Sequence, residues 1–143
     1  MLTLVDTGPL VAILDGGDSW HPFVRERFFK VSGQLVTTGA VITEAMHFLR
    51  PIPGGPRALL RFLHDAAVVV EDGFRSGFLG EAVSLMEKYS DTPMDFADAT
   101  LVGLAQELEI DRVLTLDERG FRAYRHGRNR HFRLVLQEGA LRG

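Results

Sequence analysis

Four carboxylates in this chain stand where carboxylates can do chemistry. Asp6 follows the apolar run Leu2-Thr3-Leu4-Val5, and Asp117 follows Val113-Leu114-Thr115-Leu116, so each falls at the carboxyl end of a predicted strand. In open parallel α/β sheets that edge is where ligands bind. Either aspartate alone reads as readily as an ordinary turn or cap residue; together at one edge they point to a site. Asp98 belongs to the periodic segment 94–108. At 100° per residue it stands within about 60° of Met94, Leu101, Val102 and Ala105, inside the apolar stripe. A carboxylate there needs backbone amides, a cation or a metal, because desolvation otherwise costs several kcal/mol or forces protonation. Asp95, on the border of the stripe one turn earlier, reads as a helix cap ahead of a ligand. Glu44 lies at the edge of the arc formed by Val41, Ala45, Met46, Phe48 and Leu49. Its helix follows the second predicted strand and so starts from the same sheet edge.

Four carboxylates in one half-buried cleft repel one another strongly, and divalent cations make such a cluster tolerable. An all-oxygen, carboxylate-rich donor set selects hard ions, Mg²⁺ or Mn²⁺, over zinc, which prefers His and Cys. Sites of this kind activate water and steady the in-line displacement at a phosphodiester. Phosphoester cleavage is the chemistry that best explains the cluster.

The elements that must carry these side chains alternate along the chain. Strands are predicted over Leu2–Val5, Leu35–Thr38, Ala67–Val70, Arg112–Leu116 and Phe132–Leu136. The first helix has Pro9 in its first turn and continues over Leu10–Leu14. Gly16-Gly17-Asp18-Ser19 breaks it and supplies a cap for the next helix, about His21–Lys30. Further helices are predicted over Ala40–Leu49, Arg57–Ala66, Phe74–Tyr89 and Met94–Leu108. No adjacent pair of strands is joined by a hairpin signal such as Asn-Gly. That order implies βαβ units, hence a mostly parallel sheet with helices on both faces. The Pro/Gly-rich stretch 51–56 is too short to be a domain boundary, so residues 1–143 read as one α/β domain.

Composition removes several classes. The 143 residues are 45% hydrophobic and 24% charged, the balance of an ordinary soluble domain, and need neither staples nor metal merely to fold. The absence of cysteine excludes a disulfide scaffold, a thiolate zinc site and a Cys nucleophile. The start, MLTLVDTGPLVAILDGGD, lacks a basic n-region and carries Asp6 within its apolar stretch, so a signal peptide is not expected. No run reaches the length of a membrane span, and a cytoplasmic location is the default. The net charge of −3 hides an asymmetry: from Glu118 onward seven arginines face two glutamates, a net +5, which leaves residues 1–117 at −8.

Leu4-Val5-Asp6-Thr7, Thr43-Glu44-Ala45, the run Met94-Asp95-Phe96-Ala97-Asp98-Ala99-Thr100-Leu101-Val102 and Leu114-Thr115-Leu116-Asp117 resemble the four acidic motifs of PIN-domain nucleases. The resemblance is strongest to the VapC-type ribonuclease toxins of toxin–antitoxin modules, and order and spacing fit from about Leu2 to Leu136. It implies a three-layer α/β/α sandwich with a mostly parallel five-stranded sheet, whose first and fourth strands meet at the switch point. It assigns Asp6, Glu44, Asp98 and Asp117 to coordination of Mg²⁺ or Mn²⁺ and to activation of the attacking water. Thr7 and Thr115 would be hydrogen-bond partners of the acidic site, with Asp95 auxiliary. It further implies an RNA substrate, a homodimer and a VapB-type antitoxin whose tail covers the cleft. PIN domains also serve as solitary RNA-processing nucleases, and a PIN-fold module that binds RNA or protein with little catalysis is the rival reading.

Arg119, Arg122, Arg125, Arg128 and Arg130, interleaved with Phe121, Tyr124, His126, Asn129 and His131, form a candidate grip on RNA phosphates. The same arginines read equally as solvated side chains of a helix and strand. His21, His47 and His64 show no metal-ligand spacing and read as surface or packing residues. No nucleophile elbow, dinucleotide fingerprint or P-loop is present. A phosphoaspartyl-transfer enzyme would want a second Asp where Gly8 stands, and a receiver domain a strand-end Lys, which neither Lys30 nor Lys88 supplies.

Overall fold

A computed structural model of the chain describes residues 1–73 and 75–138. Five parallel strands form the main sheet: β1 (Leu2–Val5), β2 (Gln34–Thr38), β3 (Val69–Glu71), β4 (Arg112–Leu114) and, numbered seventh in chain order, β7 (Arg133–Leu134). Their spatial order is β3-β2-β1-β4-β7. Leu2 pairs with Gln34 and Val5 with Leu114, so chain order reverses between β2 and β4 on either side of β1. That is the switch point at which such sheets open a crevice. Leu4, Val5, Val36, Val113 and Leu114 are buried, as expected where helices cover both faces of a parallel sheet.

The helices are α1 (Thr7–Leu14), α2 (His21–Phe28), α3 (Gly39–Leu49), α4 (Gly55–Asp65), α5 (Phe78–Lys88), α6 (Phe96–Leu108), α7 (Glu118–Ala123) and the single turn α8 (Val135–Glu138). The α/β/α sandwich with its five-stranded sheet is the architecture expected from the alternation of elements. None of the helices among the described residues is long and apolar enough to cross a membrane.

Several boundaries differ from the sequence expectation for identifiable reasons. The fourth strand stops at Leu114 because Thr115 leaves the ladder and uses its hydroxyl on Asp6 and on the amide of Asp117. The fifth strand pairs only at Arg133 and Leu134, opposite Arg112 and Val113. With no more of β4 to pair against, residues 135–138 turn helical, and Gln137 reaches back to the carbonyl of Thr115. Ala67 adopts a φ of 52°, so the third strand begins at Val69, later than expected. The long helix starts at Phe96 because Asp95 is its N-cap. The helix expected from Phe74 begins at Phe78, and Phe74 itself, like Arg142, lies outside the described residues. Asp18 does not cap α2 as a helix cap; its carboxylate accepts from the Trp20 amide, and Trp20 occupies the N-cap position.

One hairpin, outside the parallel sheet and between two segments not predicted as strands, joins the fold. Strands β5 (Arg125–His126) and β6 (Arg130–His131) form an antiparallel pair, with Arg125 opposite His131. Its turn uses Gly127 (φ 56°) and Asn129 (φ 61°), the residue types that tolerate the left-handed region. Asp111 pins the hairpin, standing 2.9 Å from His126 Nε2 and accepting from Arg130.

Candidate active site

Four of the five acidic side chains are set by the start of a helix. Asp6 ends β1 and caps α1: one carboxylate oxygen accepts from the Thr7 amide (2.8 Å) and the other from the Thr115 hydroxyl (2.7 Å). Asp117 follows β4 and caps α7 by accepting from the Gly120 amide at 3.0 Å. Asp95 and Asp98 form a reciprocal capping box at the start of α6. Asp98 N donates to Asp95 (2.8 Å), and Asp95 N donates to Asp98 (3.1 Å). Glu44 reaches the same place from α3. Asp6, Glu44, Asp95, Asp98 and Asp117 all line one cleft of about 460 Å³, with Thr7, Gly8, Val11, Asp18, Trp20, Phe48 and Leu116. The four carboxylates singled out from the sequence are therefore brought together, and Thr7 stands with them.

Burial and mutual repulsion act on three of these carboxylates, Asp6, Glu44 and Asp98. Asp6 is 8% exposed and Asp98 9%. Burial pushes the Asp98 carboxyl up to about 8, aided by the charges of Asp6 and Asp95. Burial also lifts Asp6 to about 6 against the bonds from Thr115 and Thr7, with the charges of Asp95 and Glu44 adding to the rise. Glu44 is raised by burial and by Asp95, the nearby Thr7 hydroxyl pulling the other way. Three neighbouring carboxyls that resist ionising are ones a cation would stabilise.

The donor set suits a hard divalent ion, all oxygen and mostly carboxylate. Thr7 Oγ1 is buried on the cleft wall near the Glu44 carboxyl, whose charged form it favours, and makes no well-formed hydrogen bond among the described residues. Among the described residues, however, no three Asp, Glu or His side chains converge closely enough to form a ready-made cage. The reason is local: four of the five carboxylates are turned onto backbone amides at helix starts, as the bonds above show.

Thr115 connects the two strand-end aspartates. Its buried hydroxyl donates to Asp6 and accepts from the Asp117 amide (3.0 Å). Replacing it by Val removes both bonds and strands two polar partners. Thr115→Val is expected to cost about 1–2 kcal/mol of stability and to lower the activity of the site by about ten- to a hundredfold. Thr115→Ser, which keeps the hydroxyl, restores both. Thermal melts and initial rates on the two variants check this. Equal activity in Thr115→Val would show that the aspartates need no such link. Gly120 shows how tightly Asp117 is held: a Cβ on Gly120 would lie 2.2 Å from Asp117 Oδ2.

The basic stretch is placed differently from the expectation. Phe121, Tyr124 and His126 are buried in the core, with Tyr124 Oη donating to the Pro93 carbonyl, so none of the three faces a ligand. Arg125 is spent on the carbonyls of Arg122, Ala123 and Tyr124. Arg130 is held by Asp111, and Arg122 lies 3.6 Å from Glu118. Arg119 and Arg128 are exposed, and none of the five arginines lines the acidic cleft. Sequence reasoning also took Phe48 as buried, whereas it is 54% exposed on the cleft rim, and it attached no role to Trp20, 50% exposed on the same rim.

Sheet order, the β1–β4 crevice and the acidic cluster over it define an α/β/α domain built around a carboxylate site. The model of the PIN domain family matches residues 3–127, and the chain belongs to the PIN-domain family. It is 30% identical over 124 residues to Ribonuclease VapC26 of Mycobacterium tuberculosis (strain ATCC 25618 / H37Rv), an alignment covering 85% of this chain and 91% of that protein. Among solved structures it is similar to Mycobacterium tuberculosis VapC20, described as a sarcin–ricin loop cleaving toxin. The TM-score is 0.64 at 20% identity, over 79% of this chain and 87% of the other. That second likeness establishes the fold.

Proposed function

We propose that the chain is a metal-dependent endoribonuclease of the VapC type, working as one catalytic domain on RNA in the cytoplasm. The observation that carries the reading is the single cleft lined by Asp6, Glu44, Asp98 and Asp117, in a chain that aligns with a VapC ribonuclease over most of both lengths. Asp6, Glu44, Asp98 and Asp117 would hold Mg²⁺ or Mn²⁺, with Asp95 auxiliary. When bound, such an ion supplies Lewis acidity toward the phosphodiester and makes the attacking water more acidic. The protein's own part is positional. Thr115 holds Asp6 and the Asp117 backbone in fixed relation, the α6 capping box holds Asp98 at the cleft, and Thr7 offers a buried hydroxyl beside Glu44. Arg119 and Arg128, exposed and in no ion pair among the described residues, are the arginines of the basic stretch best able to meet RNA phosphates. A VapB-type antitoxin and a homodimer belong to the same reading, supported by the kinship with VapC proteins.

The purified protein is expected to cleave RNA only with Mg²⁺ or Mn²⁺ added, and Asp6→Asn to abolish that cleavage. Sequencing RNA ends after incubation with wild type and variant would locate the cuts. Undiminished cleavage in EDTA, or in Asp6→Asn, would remove the metal mechanism.

A further inference from the structure

The acidic cleft presents a physical difficulty for any RNA that enters it. Its floor is carboxylate, none of the five candidate arginines lines it, and three of those five are tied up within the protein. The walls themselves therefore offer phosphates no cationic side chain; a bound cation and the exposed Arg119 and Arg128 outside the cleft would meet the backbone, and the remaining cleft side chains are left to meet the bases. Two large aromatic side chains stand on the cleft from different elements: Trp20, where the chain enters α2, and Phe48, on the last turn of α3. Each is about half exposed, at 50% and 54%, in a chain whose other site-lining apolar residues, Val11 and Leu116, are partly buried.

Each ring has a neighbouring aromatic or imidazole ring against it. Asp18 accepts from the Trp20 amide at 2.8 Å and fixes the turn before α2. Trp20 meets Phe23 edge to face, with centroids 5.5 Å apart, and the Arg27 guanidinium sits 3.9 Å over the Phe23 ring. Phe48 makes the same kind of contact with His47, at 5.5 Å. Half-exposed π-faces beside a carboxylate cleft are what sequence-tolerant binding of unpaired nucleotides requires, since every base has a face to stack. Bases inside an A-form duplex are already stacked and cannot reach such rings.

We propose that Trp20 and Phe48 are base-stacking residues that flank the acidic cleft and make it select unpaired RNA, seating the nucleotides beside the scissile phosphate. The proposal deepens the nuclease reading and rests on it. Its test is a binding measurement that does not require cleavage, so the two can fail separately.

Trp20 is the chain's only tryptophan, so its emission reports on this one ring. With the Asp98→Asn variant in Mg²⁺, single-stranded oligo(A) and oligo(U) are expected to quench that emission, and the two annealed as a duplex to leave it unchanged. Trp20→Ala and Phe48→Ala should each weaken binding of the single strands about tenfold by anisotropy of a labelled oligonucleotide. Trp20→Phe should recover most of the loss, and in the background with Asp98 intact the alanine variants should raise KM more than they lower kcat. Both positions are half exposed, and melting temperatures near wild type verify folding. Equal quenching by the duplex, or an unchanged affinity in both alanine variants, overturns the proposal. So does emission that shifts only with an apolar protein partner, which would make the rim a protein-docking surface. If the single strands bind as described but wild type cuts no RNA under any metal, the nuclease reading fails and the stacking site stands.

Discussion

Asp98→Asn is expected to lower RNA cleavage by about a thousandfold while raising the melting temperature of the metal-free protein. The two effects share one cause. Asp98 is packed inside the apolar stripe of α6, next to Asp6 and Asp95, and its carboxyl is pushed up to about 8 by burial first and those two charges second. At pH 8 the native protein holds a partly ionised carboxylate that the unfolded chain would carry freely solvated. Asparagine keeps an oxygen to accept from the Asp95 amide, so the capping box retains that half. It also replaces the repelling charge with an N–H that can face a neighbouring carboxylate. A gain of about 2 kcal/mol is reasonable, roughly 6 °C in Tm for a chain of this size. Asn cannot supply the anionic oxygen, and cleavage goes. Calorimetry of both proteins in EDTA at pH 8, beside a cleavage assay in Mg²⁺, decides the point. A variant that loses both activity and stability would mean that Asp98 serves the fold rather than the chemistry.

The same residue shows why part of the site could be read without coordinates. An aspartate within an apolar helical face is a local contradiction, and local contradictions accompany function. Asp6 and Asp117 were legible by another route, since an acid immediately after an apolar strand must lie at the carboxyl edge. That all four meet, however, depends on β1 lying between β2 and β4, a pairing no single strand announces. Phe48 was misplaced because a helical wheel assigns a face without knowing where the neighbouring element ends, and at that turn of α3 the neighbour is the open cleft. Strands as short as Arg125–His126 and Arg130–His131 carry no alternation to detect, so the hairpin was missed. The aromatic residues leading into it, Phe121 and Tyr124, belong to the candidate RNA grip by their spacing but to the core by their packing. The arginines of that stretch were counted as available charge, whereas Asp111 and three backbone carbonyls use two of them. Composition counts charges; only geometry says which are spent.

The stability of the metal-free protein is expected to fall as pH rises from about 4 to 8, and a divalent cation to reverse the trend. Asp98 at about 8 and Asp6 at about 6 both lie above the ordinary aspartate value of 3.8. Across the window between those values the native state binds more protons than the unfolded chain, so stability declines with rising pH. Below about 4 both states are protonated at these positions and the effect vanishes; above about 8 the loss is complete. Asp111 acts in the opposite sense, because Arg130 holds its carboxyl below the usual range and its contribution disappears only in strong acid. Burial lowers His126, which favours the fold as pH rises toward 6.5 and offsets part of the trend; Asp6 and Asp98 outweigh it, and Tm should drop by on the order of 10 °C between pH 5 and 8.5. A cation, if these carboxylates hold one as proposed, would take the place of the protons. Its apparent Kd should then fall about tenfold per pH unit for each proton displaced, up to about pH 8. Calorimetric titration with Mn²⁺ at pH 6.5 and 7.5, repeated in two buffers of different ionisation enthalpy, reads both the affinity and the protons released. A pH-independent Kd with no proton release would separate the cation from Asp6 and Asp98. A metal-free Tm that rises from pH 5 to 8 would show the cluster to be ionised in the native state and balanced by charge elsewhere in the fold.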